Sequence, residues 1–218
     1  YISRNVYGAG AMASVGTASI IDTNKNSSSS FALSWPYKYQ HVPGTGDAVV
    51  LITGGHIGTA ANSTESGDVY GSARGEAVDR YVYNRLANVR TATVTVEYTN
   101  PGNTITDNNV IVGSVYGSGE NGHVYDSTQV TLKKGLVGGS VFGGGKGVDT
   151  YISGTKALHS ITAGKVYGNT HVTIDGGRVN HNVFGGGNMA SVGKGNYNGY
   201  GENGTDTANT GRCYVNIY

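Results

Sequence analysis

Glu97 and Asp175 are the two carboxylates whose spacing could carry chemistry. They occupy equivalent places in two copies of one short pattern, "VTVEYTNPG" (Val94–Gly102) and "VTIDGGRV" (Val172–Val179). If the copies stack as parallel strands with one strand between them, the acids lie about 9–10 Å apart. That is near the carboxyl separation of inverting glycosidases. The intervening copy, "VTLKKGLV" (Val130–Val137), puts Lys133 between them. A cation between two acids is the stable way to stack charge on a parallel sheet, because like charges in contact repel. We therefore expect a structural ion ladder. A carbohydrate-active β-helix, either polysaccharide lyase or glycoside hydrolase, is the enzymatic alternative.

The other candidate motifs point away from catalysis. "VFGGGKG" (Val141–Gly147) superficially resembles a phosphate loop, but Lys146 is followed by Gly147 and Val148 instead of a hydroxyl residue opening a helix. "GAGAMA" and "GGGNMA" do not meet the dinucleotide fingerprint within a strand–helix–strand unit. His171 and His181 have no evident third ligand, and Cys213 is the only cysteine, so neither an internal disulfide nor a cysteine-rich zinc site can form. No cofactor and no metal are expected. Thr95, Thr131 and Thr173 form a short threonine file interrupted by Leu51, too narrow for an ice-binding array. Tyr7, Tyr70, Tyr116, Phe142 and Phe184 each follow a valine. Alternation points their rings away from the valine core, where they either stack on one another or make a platform for sugars or a partner protein. The clearest binding candidates are Trp35, Tyr37 and Tyr39, in "SSSSFALSWPYKYQHVPG" (Ser27–Gly44). Such rings on a loop suit carbohydrate or protein contact; alternatively they cover one edge of the core.

These side chains need a repeating scaffold to position them. "VLITGGHI" joins the three patterns above and "VNIY" extends them, with valines at 50, 94, 130, 172 and 215, intervals of 44, 36, 42 and 43 residues. A Val-aromatic-Gly beat recurs at Val6, Val69, Val115, Val141 and Val183, and a weaker Val-Tyr beat at Val82, Val124 and Val166. Two or three short strands per unit, punctuated by glycine, do not fit the four-stranded blades of a propeller. The pattern predicts an all-β fold, a parallel β-helix (β-solenoid) of about four to five irregular turns, as one segment over residues 1–218. Long insertions near 17–46, 99–109, 146–164 and 193–211 would sit at corners. Val50, Val94, Val130, Val172 and Val215 should make one inward column, and Ile52, Val96, Leu132, Ile174 and Ile217 a second. Val6, Val69, Val115, Val141 and Val183 should make a third. Gly54-Gly55 and Gly176-Gly177 suit corners that need positive φ. Both ends fall inside a repeat, which leads us to expect a segment of a longer repeat protein.

Composition agrees with this pattern. Among 218 residues there are 37 glycines, 16 tyrosines and only 3 prolines, with 13% charged residues and a net charge of +1. So balanced a charge favours neither nucleic acid nor an anionic membrane surface, and no apolar run approaches the roughly 20 residues of a membrane helix.

The run "VTIDGGRVNHNVFGGGNMASVGKG" (Val172–Gly195) resembles the repeat units of large glycine-rich surface proteins of Bacteroidota, in which V-T-I-x-G-G-x-V followed by V-[FY]-G-G-G recurs. The resemblance covers the third and fourth copies well and the first two loosely. It implies an adhesin-like protein, secreted or on the outer face of the outer membrane, exported by a route such as type IX secretion. Its partners would be a glycan or a host or bacterial surface protein. A cargo bound to outer-membrane export machinery is a further alternative. "DST" (Asp126–Thr128) and "DTA" (Asp206–Ala208) resemble the O-glycosylation acceptor of that phylum, with Ser127 and Thr207 as the modified residues.

Overall fold

The computed structural model describes residues 1–16, 18–20, 39–41, 44–59, 67–77, 87–148, 150–153, 155–158, 160, 162–193 and 211–218. It is all-β, with no helix among the described residues. The strands are β1 (Val6–Tyr7), β2 (Ala18–Ile20), β3 (Tyr39–His41), β4 (Asp47–Ile52), β5 (Val69–Tyr70), β6 (Asn88–Val89), β7 (Thr91–Glu97), β8 (Val115–Tyr116) and β9 (His123–Val124). They continue as β10 (Thr128–Lys134), β11 (Leu136–Val137), β12 (Val141–Phe142), β13 (Tyr151–Ser153), β14 (Lys156–Leu158), β15 (Thr170–Ile174), β16 (Arg178–Val179), β17 (Val183–Phe184) and β18 (Cys213–Ile217).

Two parallel five-stranded sheets dominate, ordered β4-β7-β10-β15-β18 and β1-β5-β8-β12-β17. In the first, Val50, Val94, Val130, Val172 and Val215 are direct partners, as are Ile52, Val96, Leu132, Ile174 and Ile217. In the second, Val6, Val69, Val115, Val141 and Val183 are partners. All three inward columns expected from the repeat are present. A further parallel column runs through Ile2, Ile57, Ile111, Val137 and Val179. Another links Val89, Val124, Val166 and Val192. The third beat is therefore corrected: Val89, not Val82, stands opposite Val124, and Val82 lies outside the described residues.

Strict alternation creates the inner face. In β4 the residues read exposed, buried, exposed, buried along its length, placing Ala48, Val50 and Ile52 inside and Val49 and Leu51 outside. Val69, Val94, Val115, Val130, Val141 and Val172 are at most 1% exposed, whereas Val215, on the outermost strand, is 41% exposed. Burying a valine fully contributes about 1.5–3 kcal/mol, so each strand's contribution depends on having a neighbour on both sides.

The glycine of each Val-aromatic-Gly beat is fixed by close approach. A methyl on Gly71 would overlap the Gly117 carbonyl and stand 2.9 Å from Val94 Cγ2; Gly8, Gly117 and Gly143 meet the carbonyl of the next copy in the same way. At the corners expected to need positive φ, the second glycine of each pair supplies it, Gly55 at +90° and Gly177 at +78°, while Gly54 and Gly176 do not adopt positive φ. Gly58 and Gly67 also approach closely: a methyl on Gly58 would stand 2.6 Å from Gly67 Cα.

Candidate functional site

The aromatic column does stack. Ring centroids are 5.0 Å apart for Tyr7–Tyr70, 4.9 Å for Tyr70–Tyr116, and 4.8 Å for Tyr116–Phe142 and Phe142–Phe184. It is not an open platform along its length. Tyr70, Tyr116 and Phe142 are buried as a cluster of their own, and only Phe184, at one end, is 43% exposed. Rings spaced at the strand repeat cover one another's faces, which leaves a partner only the terminal ring.

The residue before each column valine forms a polar ladder that the sequence reading missed. Asn5 Oδ1 accepts from the amides of Gly67 and Asp68 at 3.1 and 3.0 Å. Asp68 Oδ1 accepts from Ser114 N at 2.8 Å, Ser114 Oγ from Ser140 N at 3.0 Å, and Ser140 Oγ from Asn182 N at 3.2 Å. Each short polar side chain thus satisfies a backbone donor of the next copy, which a buried amide requires. The signal was available: Asn, Asp or Ser precedes each of the five valines of this column, whereas Lys165 precedes the Val-Tyr-Gly at Val166, which belongs to a different column.

Charge gathers beside the ring hydroxyls. Tyr70 donates to Asp68 Oδ2 at 3.0 Å, and Lys146 reaches the same oxygen at 3.3 Å. Tyr7 donates to Glu120, which also pairs with Arg74 at 3.5 Å. Burial, then the Asp68 charge, pushes the Tyr70 phenol far above its ordinary range. Burial and the bond to Glu120 push Tyr7 up to about 12. A cleft of about 120 Å³ opens here, lined by Arg4, Asn5, Tyr7, Arg74 and Glu120. Both carboxylates are engaged by cations and hydroxyls, an arrangement suited to holding strands together and poorly suited to moving a substrate proton.

Of the sequence-derived acid pair, Glu97 is charge-paired, and Asp175 shows, among the described residues, only its backbone bond, Asp175 N to the Leu132 carbonyl at 2.8 Å. A bulge in β10 sets Glu97 opposite Lys134 in backbone register, yet Lys133 Nζ still reaches Glu97 Oε2 at 3.1 Å. Both side chains are about half exposed, so the pair contributes little, under about 1 kcal/mol. Lys146, the phosphate-loop lookalike, is held by Asp68. Among the described residues no cluster of three or more His, Cys, Asp or Glu could hold a metal.

The outward face of the first sheet is mixed. One file reads Leu51, Thr95, Thr131, Thr173 and Asn216, and the next Val49, Thr93, Gln129, His171 and Tyr214. Val49 and Leu51 are 70% and 58% exposed, and the rings of His171 and Tyr214 stack at 4.6 Å. Tyr39 lies in β3, paired antiparallel with β2, while Trp35 and Tyr37 lie outside the described residues. Ser127 is half-buried and its carbonyl accepts from Ala92 N at 3.2 Å; the neighbouring Thr128 is buried, donating to the Gly143 carbonyl at 2.5 Å. Thr207 lies outside the described residues.

No protein-family model, no curated protein and no solved structure matches this chain.

Proposed function

We propose that the stacked parallel strands form a β-solenoid that works as a non-enzymatic, adhesin-like scaffold on a cell surface. Each copy would be one turn, and the corner insertions would present contacts to a glycan or a surface protein. The observation that carries this reading is the constancy of register under variable insertion. Intervals of 44, 36, 42 and 43 residues between column valines leave every one of them in direct pairing. A scaffold that accepts insertions without shifting its strands is built to carry loops. The use of acids supports the same reading, since Glu97, Asp68 and Glu120 are all spent on cations.

The test replaces residues 17–46, which hold Trp35, Tyr37 and Tyr39, with a short Gly/Ser linker, and probes both proteins on a glycan array and on bacterial and host cells. We expect the unfolding midpoint to stay within a few degrees and binding to fall at least tenfold. Binding that survives the replacement would move the contact surface elsewhere. Release of reducing ends from an array glycan by the unmodified protein would sink the non-enzymatic reading.

A further inference from the structure

Lys133 and Lys146 each meet a carboxylate at nearly the same distance, in different surroundings. Lys133 Nζ lies 3.1 Å from Glu97 Oε2, with both side chains about half exposed. Lys146 Nζ lies 3.3 Å from Asp68 Oδ2, with side chains only 26% and 12% exposed. The Asp68 carboxyl is also seated from its other sides. Oδ1 accepts from Ser114 N at 2.8 Å, and Oδ2 accepts from the Tyr70 hydroxyl at 3.0 Å. A methyl on Gly113 would overlap Oδ1, so the slot exists only because that position is glycine. The buried rings of Tyr70 and Tyr116 lie alongside, and the Asp68 and Lys146 charges both act on Tyr116.

An amine in contact with a shielded carboxyl that two fixed donors already polarise is an amide-forming arrangement. We propose that Lys146 and Asp68 condense in the folded protein to an isopeptide bond between Lys146 Nζ and Asp68 Cγ. The ion pair holds every atom the step needs. The ammonium passes one proton to Oδ2, leaving a neutral amine beside a carboxylic acid, a pair that a site short of water tolerates better than two charges. Nζ then attacks Cγ. Oδ1 takes the developing negative charge, where the Ser114 amide already donates to it. The bond from Cγ to Oδ2 breaks, Oδ2 takes a second proton from Nζ, and it leaves as water. The product is a neutral amide with Oδ1 as its oxygen and one hydrogen left on Nζ. Nothing is oxidised or reduced, and no co-reactant is consumed. The Tyr70 phenol, kept protonated by burial, donates to the departing oxygen throughout. Holding the two reacting groups in contact supplies most of the advantage over free amine and acid. The Lys133–Glu97 pair lacks it, because water screens both partners and leaves them mobile.

The place of the bond suits a clamp. Asp68 precedes β5, Ser114 precedes β8 and Lys146 follows β12, and these are consecutive strands of the second sheet. The link fastens the first of these copies to the third across the second, between residues 78 apart in the chain. Closing so long a loop restricts the unfolded chain most. β5, β8 and β12 all have a neighbour on both sides, so the site is complete within the strands described. This inference goes beyond the scaffold reading and does not depend on what the corner insertions bind.

The experiment weighs the 218-residue chain by intact-mass spectrometry after folding, incubation and denaturation. Its mass should fall short of the sequence mass by one water, about 18 Da. Tandem spectra of a tryptic digest should show a branched peptide that joins Lys146 to Asp68. Lys146→Arg keeps a cation beside Asp68 but has no amine to acylate, so it should carry the full sequence mass. Glu97→Gln, at the exposed pair, should keep the loss. Unmodified protein at its full sequence mass overturns the proposal. So does a loss of water that survives Lys146→Arg, or one that maps elsewhere, such as to a cyclised backbone at Asp175-Gly176.

Discussion

Replacing Gly71 by alanine should destabilise the fold by roughly 2–4 kcal/mol, for a reason that can be separated from backbone strain. The added methyl would stand 2.9 Å from Val94 Cγ2 and 3.1 Å from the Gly117 carbonyl carbon. Carbon atoms sit comfortably at about 3.5–4.0 Å, so the layers must part by several tenths of an ångström at both contacts. Neither neighbour can yield cheaply. Val94 is fully buried, and Gly71 N is bonded to the Tyr116 carbonyl at 2.9 Å beside the ring stack. Overpacking of this kind costs about 1–3 kcal/mol, and stretching the adjacent backbone bond adds about 1 kcal/mol. Gly54 and Gly55 serve as controls. A methyl on Gly54 meets only Asn109 Oδ1 at 3.9 Å, and one on Gly55 meets nothing, although Gly55 has a φ of +90°. Gly54→Ala should be close to neutral, and Gly55→Ala should cost about 1 kcal/mol from conformational strain alone. Urea unfolding of the three variants, read by tyrosine fluorescence and far-ultraviolet circular dichroism, gives the order directly. If Gly71→Ala unfolds no more easily than Gly55→Ala, the copies do not approach as closely as the account requires.

Asp68→Ala removes the acceptor for Ser114 N and the Tyr70 hydroxyl together with the partner of Lys146. It should cost roughly 3 kcal/mol in urea unfolding, while Asp68→Asn, which keeps an acceptor oxygen, should recover most of that loss. Lys165 is 3% exposed, and burial lowers its ammonium from the ordinary 10.5 to about 8. Between those values the unfolded chain holds more protons than the folded one, so stability from this group is lowest below pH 8 and rises toward pH 10.5. The full difference is on the order of 3 kcal/mol. Thermal midpoints should rise from about pH 7.5 to about pH 9.5 in the unmodified protein and stay flatter in Lys165→Met. Above pH 10 the trend should reverse, because Tyr7 and Tyr98 are raised to about 12 by burial and stay neutral only when folded.

The columns were legible because each strand carries the same two constraints, a β-branched residue facing inward and a fixed offset to the next copy. Val130 and Val172 could be paired from their surroundings alone. The Val89 position was not legible, because Val89 is followed by Arg90 and lacks the Val-Tyr pattern that Val82 carries. The buried ring stack was half legible. Alternation correctly turned Tyr70 and Tyr116 away from the valines, but a period of two cannot show whether another layer covers that side. The Asn5-to-Asn182 ladder leaves no hydropathy signal, since small polar residues beside glycine look like loop. The bulge that sets Lys134 opposite Glu97 is equally silent, since one extra residue changes no pattern the eye counts.

The central claim is that successive copies stack in register as turns of one solenoid. Spin labels on the outward file test it most directly, with Leu51→Cys combined in turn with Thr131→Cys, Thr173→Cys and Asn216→Cys in a Cys213→Ser background. Labelled protein is diluted into unlabelled protein so that only distances within one molecule are read. Continuous-wave and pulsed electron paramagnetic resonance should give separations that climb by one strand spacing at a time, about 10, 14 and 19 Å. A 51–216 distance equal to or shorter than the 51–131 distance would contradict the stacking, and with it the scaffold reading.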